Sequence, residues 1–141
     1  MKTAAILGTA GYTGQETLDR VLAHPGLELV ALGSDSLAGQ GASALDPRLN
    51  GSLPAFVPNA EAAASGADVL FLCLDNDEAA AFAPPADTVV VDLGGVHRLA
   101  DPGLASTWYG TAPVIPDFAS TTTVLSSAAA SGASASSAAV A

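Results

Sequence analysis

The chain has 141 residues with fourteen acidic and four basic side chains, a formal net charge of −10, and that field repels nucleic-acid phosphates and anionic lipid. Half of the residues are hydrophobic but only 5% are aromatic, so the length fits one domain whose core is built from small side chains. The single cysteine, Cys73, closes no internal disulfide, and no Cys/His cluster has metal-ligand spacing, which leaves neither a disulfide scaffold nor a metal site and points to a reducing cytoplasm.

In chain order, the first apolar run stops at Gly8, too short for a signal-peptide core or a membrane span. Thr3 to Leu7 reads as a buried parallel strand. From Gly14 the period changes to that of a helix, with Leu18, Val21 and Leu22 on one face and Glu16 and Arg20 paired at i,i+4 on another. His24, Pro25 and Gly26 end it, and Leu27 to Gly33 is a second strand, completing a βαβ unit. The stretch from Asp35 to Pro58, rich in Gly, Ser, Pro and Ala, is expected to be irregular or a partial crossover. Ala67 to Leu74 and Asp87 to Gly95 are further unbroken apolar strands. The expected fold is therefore α/β: a Rossmann-like, doubly wound, mainly parallel sheet forming one domain over residues 1–118. Residues 119–141, almost all Ala, Ser, Thr and Gly, are expected to be a disordered tail or a frayed helix.

Three glycines, Gly8, Gly11 and Gly14, separate the first strand from the first helix. Glycines there allow a tight turn, a close backbone approach to a ligand, and close packing of helix on strand, while the helix start aims free amides at an anion. The ligand this suits is a pyrophosphate, held by Gly8, Thr9, Ala10, Gly11, Tyr12, Thr13 and Gly14; the bland alternative is a turn that binds nothing. Asp35 lies about twenty residues beyond the loop, where a carboxylate accepts from ribose hydroxyls and repels a 2′-phosphate, favouring NAD over NADP. A solvated loop aspartate is the competing reading.

The stretch GTAGYTGQETLDRVLAHP, with SDSLAGQ (34–40), DVLFLCLDND (68–77) and VVDLGGVHRLADPGLASTWYG (90–110), resembles the N-acetyl-gamma-glutamyl-phosphate reductase family in four ordered blocks. The resemblance implies a nicotinamide-dependent oxidoreductase of arginine biosynthesis, using NADP, in which a cysteine thioester formed from an acyl phosphate is reduced to a semialdehyde. It also implies a second, catalytic and oligomerising domain. Ser34 and Ser36 match the family's cofactor-discriminating loop, but Asp35 stands where the family has arginine, so the cofactor is NADP by family and NAD by charge. Arg98 matches a position that holds an anionic substrate; an ion pair with Asp92 or Asp101 is the alternative. The family's P-H-G is replaced by Asp75, Asn76 and Asp77, and nothing like its G-N-P-G-C-Y-P-T nucleophile motif follows Gly110.

No catalytic residue is therefore assigned. Cys73 stands in an apolar strand where the family has alanine, and is expected to be a core residue. The chain alone is expected to be inactive, with either a missing catalytic domain or a second copy covering its apolar surface. A free-standing dinucleotide-binding or sensor module is the alternative. A short-chain dehydrogenase is excluded, because Tyr12 and Tyr109 are followed four residues later by Glu16 and Pro113 in place of lysine. Trp108 and Tyr109 are expected to anchor a loop onto the sheet.

Overall fold

A computed structural model of the chain describes residues 1–49, 51–99, 101–111 and 124–126. Six strands form one sheet: β1 (Lys2–Leu7), β2 (Leu27–Gly33), β3 (Phe56–Val57), β4 (Val69–Leu72), β5 (Val89–Asp92) and β6 (Val124–Ser126). Every pairing is parallel and the order is β3-β2-β1-β4-β5-β6, the doubly wound arrangement with its switch point between β1 and β4.

β1 sits at the centre because its run Ala4-Ala5-Ile6-Leu7 gives each face one alanine and one branched apolar residue to bury. Ala4 and Ile6 pack with Leu18, Val21, Leu32 and Phe56 on one face. Ala5 and Leu7 pack with Ala62, Leu70, Leu72 and Val90 on the other. The first face is covered by helix α1 (Tyr12–Ala23) and by the segment after β2; the second is covered by α2 (Asn59–Ala63) and is joined by α3 (Asn76–Ala81), which follows β4. Helix α4 (Pro102–Tyr109) follows β5 and a 3-10 turn at Val96–Arg98.

The expected first helix is present, and Glu16 and Arg20 face each other at 3.8 Å. Leu22, however, is 42% exposed. The buried stripe runs through Gly14, Thr17, Leu18 and Val21, and one further residue rotates Leu22 about 100° off it. Within 35–58 the chain is more ordered than its composition suggests: the two-residue β3 is held by Gly39 N–H donating to Phe56 O and Phe56 N–H to Gln40 O. Three residues of the expected tail, Val124–Ser126, instead pair with β5 as its outer neighbour, because that edge presents unpaired amides and Val-Leu is a good strand sequence. The rest of 119–141, and the boundary at 118, lie outside the described residues. No described helix is long and apolar enough to cross a membrane.

Candidate functional site

The carboxyl ends of β1 and β4 meet at the switch point, with that of β2 beside β1, and the glycine loop spans between β1 and α1. The three glycines do three different jobs. Gly8 has φ +75°, and a Cβ there would lie 2.3 Å from the Cys73 carbonyl oxygen at the end of β4. Gly14, inside the first turn of α1, is packed so closely that a Cβ would meet Gly8 O at 2.3 Å and Thr9 Cα at 2.5 Å. Gly11 differs: its nearest would-be neighbour is Gly8 O at 3.6 Å, and the residue is exposed. Two glycines thus bring helix and strand together, while the third leaves an open backbone face at the helix start.

That start has no side chain of its own to satisfy it. Gly11 is the N-cap of α1, no side chain caps it, and the first turn holds no acidic residue. By contrast α3 is capped by Asp75 accepting from Glu78 N–H at 2.9 Å, and α4 by Asp101 accepting from Gly103 and Leu104 N–H. Unmet amides and the positive end of the helix dipole make the α1 start an anion-receptive corner. Around it Thr9 is fully buried and donates its hydroxyl to Ile6 O, Gln15 Nε2 donates to Ala10 O, and Tyr12 is 93% exposed. Thr9 therefore offers neither its hydroxyl nor its N–H, which donates to Gly33 O, and serves to shape the loop.

The loop after β2 abuts this corner, since Thr9 N–H donates to Gly33 O at 2.9 Å. Ser34 is buried, and its hydroxyl pairs with Ser36 Oγ at 3.2 Å and accepts from Leu37 N–H, closing the turn. Asp35 is exposed but not merely solvated: Oδ1 accepts from Asn59 N–H at 2.9 Å and Oδ2 from Asn59 Nδ2 at 3.1 Å. The Asn59 Oδ1 in turn accepts from Gly8 N–H at 2.9 Å. Sequence reasoning missed Asn59; the signal was an Asn opening an alanine-rich stretch, a helix-start residue type. Beside it, between α2 and α3, lies an open cleft of about 330 Å³ walled by Leu7, Ala63, Leu74 and Phe82, with Asp35, Asn59 and Glu78 among its lining residues.

Arg98 stands apart from these groups, on the turn after β5. Its Nε donates to Gly94 O at 3.0 Å, while Asp92 is taken by Gly94 N–H and His97 Nδ1 and Asp101 caps α4. The buried Asp92–His97 pair was also missed, because five residues of separation across a strand end carry no periodic signal. Tyr109 lies against Gly95, where a Cβ would fall 2.5 Å from its ring; Trp108 is 75% exposed and anchors nothing. Cys73 is half-buried against the α1-side core. Burial pushes its thiol up, partly opposed by the Thr17 hydroxyl at 3.5 Å. Among the described residues no three His, Cys, Asp or Glu gather as metal ligands.

The family described as semialdehyde dehydrogenase, NAD binding domain, matches residues 3–135. The chain is 42% identical over 108 residues to an N-acetyl-gamma-glutamyl-phosphate reductase of Salinispora arenicola, covering 75% of this chain and 32% of that protein. It is 38% identical over 117 residues to the same enzyme of Paracoccus denitrificans, covering 81% and 34%. The chain thus spans about a third of the length of the curated relatives it matches. The crystal structure of aspartate semialdehyde dehydrogenase with NADP from Candida albicans superposes with a TM-score of 0.56 at 21% identity, over 89% of this chain and 42% of that one.

Proposed function

This chain belongs to the semialdehyde dehydrogenase NAD-binding domain family, and from that premise we propose that it is the dinucleotide-holding part of an N-acetyl-gamma-glutamyl-phosphate reductase-like oxidoreductase. The observation that carries the reading is the division among the three glycines: two crowded, one open, at a helix start that no side chain caps. Gly11 and the first amides of α1 hold the pyrophosphate, with Gly8, Thr9, Ala10, Tyr12, Thr13 and Gly14 shaping the loop. Asp35 receives the adenosine ribose hydroxyls, flanked by Ser34 and Ser36, and the adenine enters the apolar cleft between α2 and α3.

When bound, the nicotinamide supplies hydride chemistry, which in the full reductase converts an acyl phosphate to a semialdehyde. The residues of this chain bind and orient the cofactor; Arg98 steadies an anionic substrate group from the turn after β5. The nucleophile comes from outside the 141 residues. Cys73 is the only cysteine, and its raised thiol pKa and core packing suit no thioester chemistry. That same observation favours, for this polypeptide by itself, binding without turnover.

Calorimetric titration of the chain with NAD and with NADP tests the proposal. Binding of either, weakened by Gly11→Ala and abolished by Gly11→Asp, is the expected result, with no reductase activity for the chain alone. Failure to bind both overturns it.

A further inference from the structure

We infer that Asn59 is a specificity-determining positioning residue: its side-chain amide couples the glycine loop to Asp35 and so sets how strongly this site prefers a ribose 2′-hydroxyl over a 2′-phosphate. The inference rests on the dinucleotide reading above and deepens it.

The orientation of the Asn59 amide is dictated by its two neighbours. A backbone N–H only donates and a carboxylate only accepts, so the oxygen faces Gly8 N and the nitrogen faces Asp35. Together with the Asn59 backbone N–H on Oδ1, both carboxylate oxygens of Asp35 are held. The residue comes from α2, after β3, yet it lies hard against the end of β2: a Cβ on Gly33 would come within 2.8 Å of Asn59 Oδ1. One side chain thereby ties together the ends of β1, β2 and the start of α2.

A pinned carboxylate keeps its charge at one place, and each of its oxygens retains acceptor capacity for a hydroxyl. The cleft beside it is lined by Glu78 as well as Asp35, and by no lysine or arginine. A phosphate dianion entering there meets two carboxylates with no compensating cation, whereas a hydroxyl pair gains acceptors. Without the Asn59 side chain, Asp35 keeps only the backbone N–H on Oδ1; Oδ2 then turns away about that one bond, weakening the ribose contact and relaxing the exclusion of phosphate together.

The test measures the ratio of NADP to NAD dissociation constants by calorimetry for the full chain and its variants. Asn59→Leu is expected to lower that ratio roughly tenfold, by weakening NAD and sparing NADP. In an Asp35→Ala background the same substitution is expected to leave the ratio unchanged, because the group it positions is gone. Asn59→Ala removes the same donor with a smaller change of volume, so it shifts the ratio the same way and serves if the leucine variant fails to fold. A variant that weakens both cofactors equally, or a ratio change that persists without Asp35, overturns the inference. Absence of binding by the unsubstituted chain overturns the dinucleotide reading instead.

Discussion

At the scale of single residues, glycines in one loop that look equivalent in the sequence carry unequal costs of substitution. Gly14→Ala drives a methyl into Gly8 O and the Thr9 backbone, so about 1–3 kcal/mol or more of stability is expected to be lost, read as a lower urea midpoint. Gly11→Ala has room and a backbone that alanine adopts, φ −74° and ψ 168°; the expected loss is about 1 kcal/mol or less, with dinucleotide affinity reduced far more. Cys73 gives a second residue-level expectation. Burial against the α1-side core raises its thiol pKa, so labelling by a thiol reagent is expected to run roughly tenfold or more slower in the native than in the unfolded protein. Equal rates would show the thiol to be open. The glycine spacing was legible in the sequence; which glycine faces open space was not, because the crowding atoms of Gly8 belong to Cys73, sixty-five residues away.

Among the elements, α1 differs from α3 and α4 in lacking a side-chain cap, as does the five-residue α2, which opens on Pro58. Helices α3 and α4 each open on an aspartate that accepts from first-turn amides, the ordinary solution for a helix start. Helix α1 opens on Gly11, yet the cap backbones of Gly11 (φ −74°, ψ 168°) and Asp75 (φ −69°, ψ 172°) nearly coincide. Gly11→Asp is therefore expected to cap α1 as Asp75 caps α3, raising thermal stability by up to about 1 kcal/mol while abolishing dinucleotide binding through an internal carboxylate at the anion corner. A variant that is both more stable and still binding would remove the helix start from the site. Strand and helix periods announced β1, α1, β2, β4 and β5. They did not announce β3, with two residues, or α2, with five, because neither is long enough to show a period and both form only against neighbours.

For the molecule as a whole, the ends of the central strands are tied by an ion pair far apart in the chain. Lys2 Nζ lies 2.7 Å from Asp68 Oδ1, and Thr3 supplies its N–H and hydroxyl to Oδ2, joining the beginnings of β1 and β4. The Lys2 ammonium and then the Thr3 donors hold the Asp68 carboxyl at about 2, below its usual 3.8. A lowered pKa in the fold means this contribution is complete above about pH 4 and vanishes as pH falls through about 2. The stability difference between the native chain and Asp68→Asn is accordingly expected to be constant near neutrality and to shrink across that window, measured as urea midpoints against pH; a difference independent of pH would refute it. Apolar strand runs were enough, by themselves, to determine the α/β class and the parallel sheet, and the glycine loop with an acidic residue after β2 marked the corner proposed for a dinucleotide. Periodicity and turn chemistry are local properties that each segment carries alone. Only the tertiary structure decided that Asn59 clamps Asp35 to the glycine loop, that Asp92 and His97 pair in the interior, and that Val124–Ser126 completes the sheet. Those contacts join residues by the crossing of the chain over the sheet, and a hydrogen-bond partner chosen by topology leaves no mark on the spacing of either residue.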